Sequence, residues 1–176
     1  MSSSSSSKDA EFEQVVLKLA DVFVFKIPPL RSASGHRAED WDLEKPLFTG
    51  YLKVYQSDQK LFVRIYQILN GYSRTPNDEN LQFFAECPVE IKPNETVTNF
   101  IDAVIDSSRY FALKIKDRKT LKTALIGIGW QDRDPAFEFK NCLNEYIRYV
   151  SRMATASNQS SSTGEDSSNA FEVGIY

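Results

Sequence analysis

Residues that carry metal or acid–base chemistry are scarce here. The chain has one histidine, His36, and two cysteines, Cys87 and Cys142, among 176 residues. A zinc site draws on closely spaced His and Cys ligands, and neither a second imidazole nor a C-x-x-C pair exists to supply them. Nucleophilic catalysis would have to run through His36, in the stretch Ser34-Gly35-His36-Arg37, and no G-x-S-x-G elbow occurs. The sequence therefore argues against an enzyme and calls for no cofactor.

Long apolar runs are absent too. None approaches the ~20 residues of a membrane-crossing helix, and Met1 to Ser7 lacks the charged-then-apolar build of a signal peptide. A cytoplasmic or nuclear address is the expectation, with both cysteines as free, buried thiols. A basic surplus is also missing. There are 24 acidic against 21 basic side chains, and three of the acids (Glu165, Asp166 and Glu172) follow Arg152 with no cation among them. The remainder is balanced, which argues against a nucleic-acid partner.

What is present divides into three parts. Residues 1–11 are serine-rich and residues 154–176 are acidic and serine-rich; neither can bury enough apolar surface to order itself, so both are expected as disordered tails. The span 12–153 is the expected domain.

Within it the apolar residues recur with period two. Leu52 and Val54 alternate with Tyr51, Lys53 and Tyr55; after Ser57-Asp58-Gln59-Lys60, Leu61, Val63 and Ile65 alternate with Phe62, Arg64 and Tyr66. That predicts a hairpin with one aliphatic face. Phe23, Phe25 and Ile27 predict a strand stopped by Pro28-Pro29, and Phe111, Leu113 and Ile115 pair with Ala124, Ile126, Ile128 and Trp130 in a second hairpin. Leu81 to Val89, ended by Pro88 and nearby Pro93, and Val97 to Ile105 supply two more strands, and Asn70 to Asn80 reads as a long loop.

After Asp132 the period lengthens. Ala136, Phe139, Leu143, Tyr146 or Ile147, and Val150 fall on one side of a helix, with Asp134 placed to cap it and Pro135 at its first position. About seven antiparallel strands followed by one helix predict a mainly β, PH-like barrel capped at its C-terminus, with other α+β sandwiches as rivals.

Gly127-Ile128-Gly129 has two readings. It lacks the third glycine of a phosphate loop, and the better reading is a strand where small residues admit a neighbouring side chain. Charge is more informative. Arg109, Lys114, Lys116, Arg118, Lys119 and Lys122 fall within fourteen residues, opposed only by Asp117. They form either a solvated face or a patch for an acidic or phosphorylated partner. Tyr51, Tyr55, Phe62 and Tyr66 on the first hairpin form shallow apolar pockets or pack beneath the long loop or the Pro28 to Trp41 segment. Lys140, Asn144 and Arg148 recur at four-residue steps on the wet side of the helix.

The local strings carry more. Val24-Phe25-Lys26-Ile27-Pro28-Pro29, Gly35-His36-Arg37-Ala38-Glu39-Asp40-Trp41, Thr49-Gly50-Tyr51-Leu52, Asp106-Ser107-Ser108-Arg109-Tyr110-Phe111, and Ala124 to Trp130 through Asp132 to Phe139 occur in one order. In that order they resemble the NECAP family, the adaptin ear-binding coat-associated proteins, from about Leu17 to Val150.

The resemblance implies a PH-like domain without catalytic activity that acts in clathrin-mediated endocytosis as a monomer. It implies cytoplasmic localisation at coated pits and vesicles, with peripheral membrane association through the coat. The implied partners are the AP-2 adaptor complex and accessory proteins carrying F-x-D-x-F peptides, which need two ring pockets and a cation. The residues best suited to that role are Arg109, Lys114, Lys116, Arg133, Lys140 and Arg148. A phosphoinositide-binding, membrane-targeting domain is the alternative. Two departures stand out. The tail has no Trp after Arg152 where animal members carry a W-x-x-F-type peptide, leaving Phe171 as a divergent substitute, and Gln67 to Asn80 is longer than expected.

Overall fold

A computed structural model describes residues 12–28, 35–71, 73–92 and 95–159. The expected disordered segments at 1–11 and 160–176 lie outside the described residues. Seven strands precede one helix: β1 (Gln14–Lys26), β2 (Phe48–Ser57), β3 (Lys60–Ile68), β4 (Leu81–Glu90), β5 (Ile101–Ala103), β6 (Tyr110–Lys116), β7 (Thr123–Gly129) and α1 (Arg133–Gln159). They form a single antiparallel sheet in the order β4-β3-β2-β1-β7-β6-β5. This is a mainly β, PH-like fold capped by its C-terminal helix.

The sheet bends where β1 bulges. Its register slips between Leu19 and Val22, where Asp21 takes a left-handed conformation, so β1 pairs with β2 over Gln14–Val24 and with β7 over Phe23–Lys26. A bulge adds twist, and that turn brings β4 and β6 near one another. The first hairpin closes through Asp58-Gln59, with Asp58 at φ 50, a conformation that aspartate tolerates well.

Two expected strands differ in detail. Pro88 lies inside β4 rather than ending it, because β4 is an edge strand and a proline facing the free side removes no ladder bond. The expected strand from Val97 to Ile105 shrinks to β5. A 3-10 turn at Val97–Asn99 precedes it and Phe100 is helical, which breaks the extended run.

α1 fills the open end of the bent sheet. Ala136, Phe139, Leu143, Tyr146 and Val150 are buried against Val22, Leu52, Val63, Leu113 and their neighbours. Phe139 sits edge-on to Phe111 at 5.1 Å and tilts against Trp130 at 5.7 Å; fully burying such a ring contributes about 1.5–3 kcal/mol. The Tyr146 hydroxyl lies between the carbonyls of Gln59 and Val89, tying the helix to the first hairpin turn and the end of β4.

The helix begins at Arg133, so Asp134 and Pro135 fall within its first turn, where a missing N–H costs nothing. It continues past Met153, where the tail was expected to begin, but beyond the buried Val150 residues 151–157 are exposed. No helix among the described residues is long and apolar enough to cross a membrane.

A second, smaller core lies on the opposite face of β1, β7 and β6, beneath the segment from Gly35 to Trp41. Phe25, Trp41 and Tyr110 meet there at centroid distances of about 6 Å. Gly127 and Gly129 make room for it. A Cβ at Gly127 would lie 2.6 Å from the Trp41 ring, and one at Gly129 would run into the Tyr110 ring. The small-residue strand is the correct reading of Gly127-Ile128-Gly129.

Candidate functional site

The bend leaves a gap that no backbone ladder closes. The edge of β4 and the strand β6 come side by side without pairing, and between them is a groove of about 420 Å³. Its apolar lining comes from Phe62, Pro88, Val89 and Phe100, and its charged lining from Lys60, Lys92, Lys114 and Lys116 against Glu90 and Glu95. Strand periodicity aims the β6 pair outward: Lys114 and Lys116 are exposed, whereas Leu113 between the same sheet faces is buried. In the ladder they stand opposite Leu125 and Thr123 of β7. An acceptor entering this groove meets ammonium groups beside a low-dielectric floor, where charge-assisted bonds are strong.

The other expected cations lie elsewhere. Arg109 precedes β6 at its far end, roughly 20 Å from Lys116 along the strand. Its guanidinium donates to the Gln131 carbonyl at 2.6 Å and lies 5.8 Å from the Tyr110 ring centroid, so it braces β6 against the start of α1. Arg133 opens that helix, and Lys140 and Arg148 are exposed along it. The structure thus joins Lys114 with Lys116 and leaves Arg109, Arg133, Lys140 and Arg148 around the helix. Within the basic turn, Arg118 turns away to bind Glu86.

Glu86 belongs to a buried ionic cluster on the outer face of β2, β3 and β4, which the alternation rule assigns to solvent. Arg64 donates to Glu86 at 2.6 Å and to both carboxylate oxygens of Glu13 at 2.7 and 2.8 Å, with only 11% of its side chain exposed. Burial pushes the Glu86 carboxyl up, but the Arg118 and Arg64 guanidiniums outweigh it and hold it below its ordinary range. The hydrogen bond from Arg64 is the main reason the Glu13 carboxyl is also lowered.

Lys53 is buried nearby and reaches Asp78 of the long loop at 2.7 Å; burial disfavours its charge, and that bond together with the charges of Tyr55, Asp78 and Tyr51 more than restores it. The hairpin aromatics serve this cluster. Tyr55 and Phe62 flank Arg64 at 4.5 and 5.4 Å, and Tyr66 lies 5.5 Å from Lys53. These three rings and Tyr51 are half-buried, and of the four only Phe62 also lines the groove. The sequence signal was the repeated aromatic flanking of single cations on adjacent strands, which favours cation–π stacking.

His36 and the cysteines are structural. The His36 carbonyl accepts from Ile105 N at 3.0 Å. Both cysteines are free, and burial pushes the Cys87 thiol up to about 12 and the Cys142 thiol up to about 11, far from a reactive thiolate. Among the described residues no group of His, Cys, Asp and Glu is placed to hold a metal ion.

Fold and groove together define the class: a helix-capped, PH-like domain with a lysine-rimmed apolar groove. The chain belongs to the family of adaptin ear-binding coat-associated proteins; the family profile, described as "Protein of unknown function (DUF1681)", matches residues 12–173. It is 34% identical over 154 residues to "Adaptin ear-binding coat-associated protein 1" of Bos taurus, covering 88% of this chain and 50% of that protein. To the Homo sapiens protein of the same name it is 34% identical over 152 residues, covering 86% and 50%. "Adaptin ear-binding coat-associated protein 2" of Bos taurus is 32% identical over 152 residues, covering 86% and 52%. The chain spans about half the length of these curated relatives.

Proposed function

We propose that this chain is a non-enzymatic endocytic accessory module that docks on the AP-2 adaptor complex and on F-x-D-x-F peptides of clathrin-coat accessory proteins. Its place of action is the cytoplasmic face of coated pits and vesicles. The observation that supports this most is the β4–β6 groove, where Phe62, Pro88 and Phe100 lie beside Lys114 and Lys116. Rings need apolar pockets, and an aspartate between them needs a cation. The names of the relatives, which bind adaptin ears and associate with coats, support the same partners.

Titration calorimetry of the full chain with an F-x-D-x-F peptide tests the reading. Reversing both charges, Lys114→Glu with Lys116→Glu, is expected to weaken binding at least about tenfold, or about 1.4 kcal/mol. Circular dichroism should be unchanged, because both side chains are exposed. Equal affinity in the folded double variant would contradict it. A phosphoinositide site is the second reading, favoured by Lys119 and Lys122 on the exposed turn beside the groove, but Glu90 and Glu95 would repel a polyphosphate. Phosphoinositide-specific liposome pelleting that the double variant abolishes would favour it.

A further inference from the structure

We infer that the groove between β4 and β6 takes a ligand from its own chain: the acidic segment Glu165 to Val173, with Phe171 in the apolar floor and Glu165, Asp166 and Glu172 against the lysines. The proposal rests on the reading of that groove as an acidic-peptide site. Three observations lead to it.

The first is charge complementarity. The groove presents Lys60, Lys92, Lys114 and Lys116 against two glutamates, whereas the chain beyond Arg152 contains three acids and no Lys or Arg. Opposite potentials on two parts of one chain attract at an effective concentration that no outside ligand matches without accumulation.

The second is reach. Tyr146 meets the carbonyls of Gln59 and Val89 at the rim of the groove, so α1 starts its exit there. From Tyr146 to Gln159 the helix rises roughly 20 Å. Phe171 lies twelve residues beyond Gln159, a span of up to about 40 Å when extended, enough to return to the rim with length to spare.

The third is composition. Phe171 is the first aromatic residue after Tyr149, and it sits within an otherwise polar and acidic stretch. One ring flanked by carboxylates matches the chemistry that the groove recognises. The family profile also runs to residue 173, so this segment belongs to the same unit of sequence as the domain.

The segment would compete with any partner peptide for Phe62, Phe100, Lys114 and Lys116. The test uses the full chain in two forms, wild type and Phe171→Ala, titrated with an F-x-D-x-F peptide by calorimetry. Removing the ring should raise the affinity for the peptide about three- to tenfold, as expected when an intramolecular competitor is lost. A combined Glu165→Gln, Asp166→Asn and Glu172→Gln variant should do the same. If the peptide binds wild type and both variants equally, the tail is not the occupant, while the groove reading stands.

A second readout does not depend on any peptide. Amide resonances of Val89, Lys114, Lys116 and Thr123 should differ between wild type and Phe171→Ala in low salt and converge in high salt, as a screened contact requires. Coincident spectra under both conditions would overturn the inference. Shifts at these amides with no peptide binding would uphold it and count against the proposed partner instead.

Discussion

At the scale of single residues, burial reverses what alternation implies. Arg64, Lys53 and Glu86 occupy outward positions of β2, β3 and β4, yet all three are buried, because Glu13, Asp78 and Arg118 reach over them from other parts of the chain. No single-sequence pattern shows that, since the covering groups lie between 25 and 51 residues away. Glu86→Gln should cost about 2–3 kcal/mol in urea unfolding, less than the ~3–5 of stripping a lone buried pair because Glu13 still pairs with Arg64. The pH dependence has a definite sign. Glu86 has a folded value held below its ordinary 4.5, so its contribution is complete above about pH 4.5 and is lost as the pH falls through the folded value. The stability gap between wild type and Glu86→Gln should therefore narrow in acid; a gap that stays constant down to pH 3 would contradict the assignment.

At the scale of elements, most strands and the helix face were legible, because period two and period 3.6 report directly on which side is buried. The buried stripe of α1 is the one its spacing predicts, from Ala136 to Val150. What escaped was set by position in the sheet: Pro88 is tolerated because β4 is an edge, and the register of β1 slips twice, between Val15 and Leu17 and again at the bulge around Asp21. β7 gives a sharp test. Gly129→Ala puts a methyl into the Tyr110 ring, and overpacking of this kind costs about 1–3 kcal/mol. For a chain of this size the melting temperature should fall by at least about 2 °C in a thermal-shift measurement. An unchanged melting temperature would mean that Tyr110 and the segment from Gly35 to Trp41 yield freely.

At the scale of the whole molecule, the strings that place the chain in its family serve mostly as scaffold. Gly35 to Trp41 lays Trp41 over β7, and Asp106 accepts from the amides of Ala38 and Glu39 at 2.7 and 3.0 Å to hold that segment. Burial raises the Asp106 carboxyl, and these two amides, with its own amide and the Arg37 charge, more than offset it, so it remains below its ordinary range. Family membership was therefore readable from the residues that build the second core, whereas the groove arises where β4 and β6 meet, a juxtaposition no local string encodes. Of the six cations singled out from sequence, only Lys114 and Lys116 line it; the other four sit around α1. Mapping amide shifts of the isotopically labelled chain during titration with an F-x-D-x-F peptide separates these faces most directly. The largest shifts should fall on Phe62, Val89, Lys114, Lys116 and Thr123; a cluster confined to Arg109, Arg133 and Lys140 would contradict a peptide site between β4 and β6.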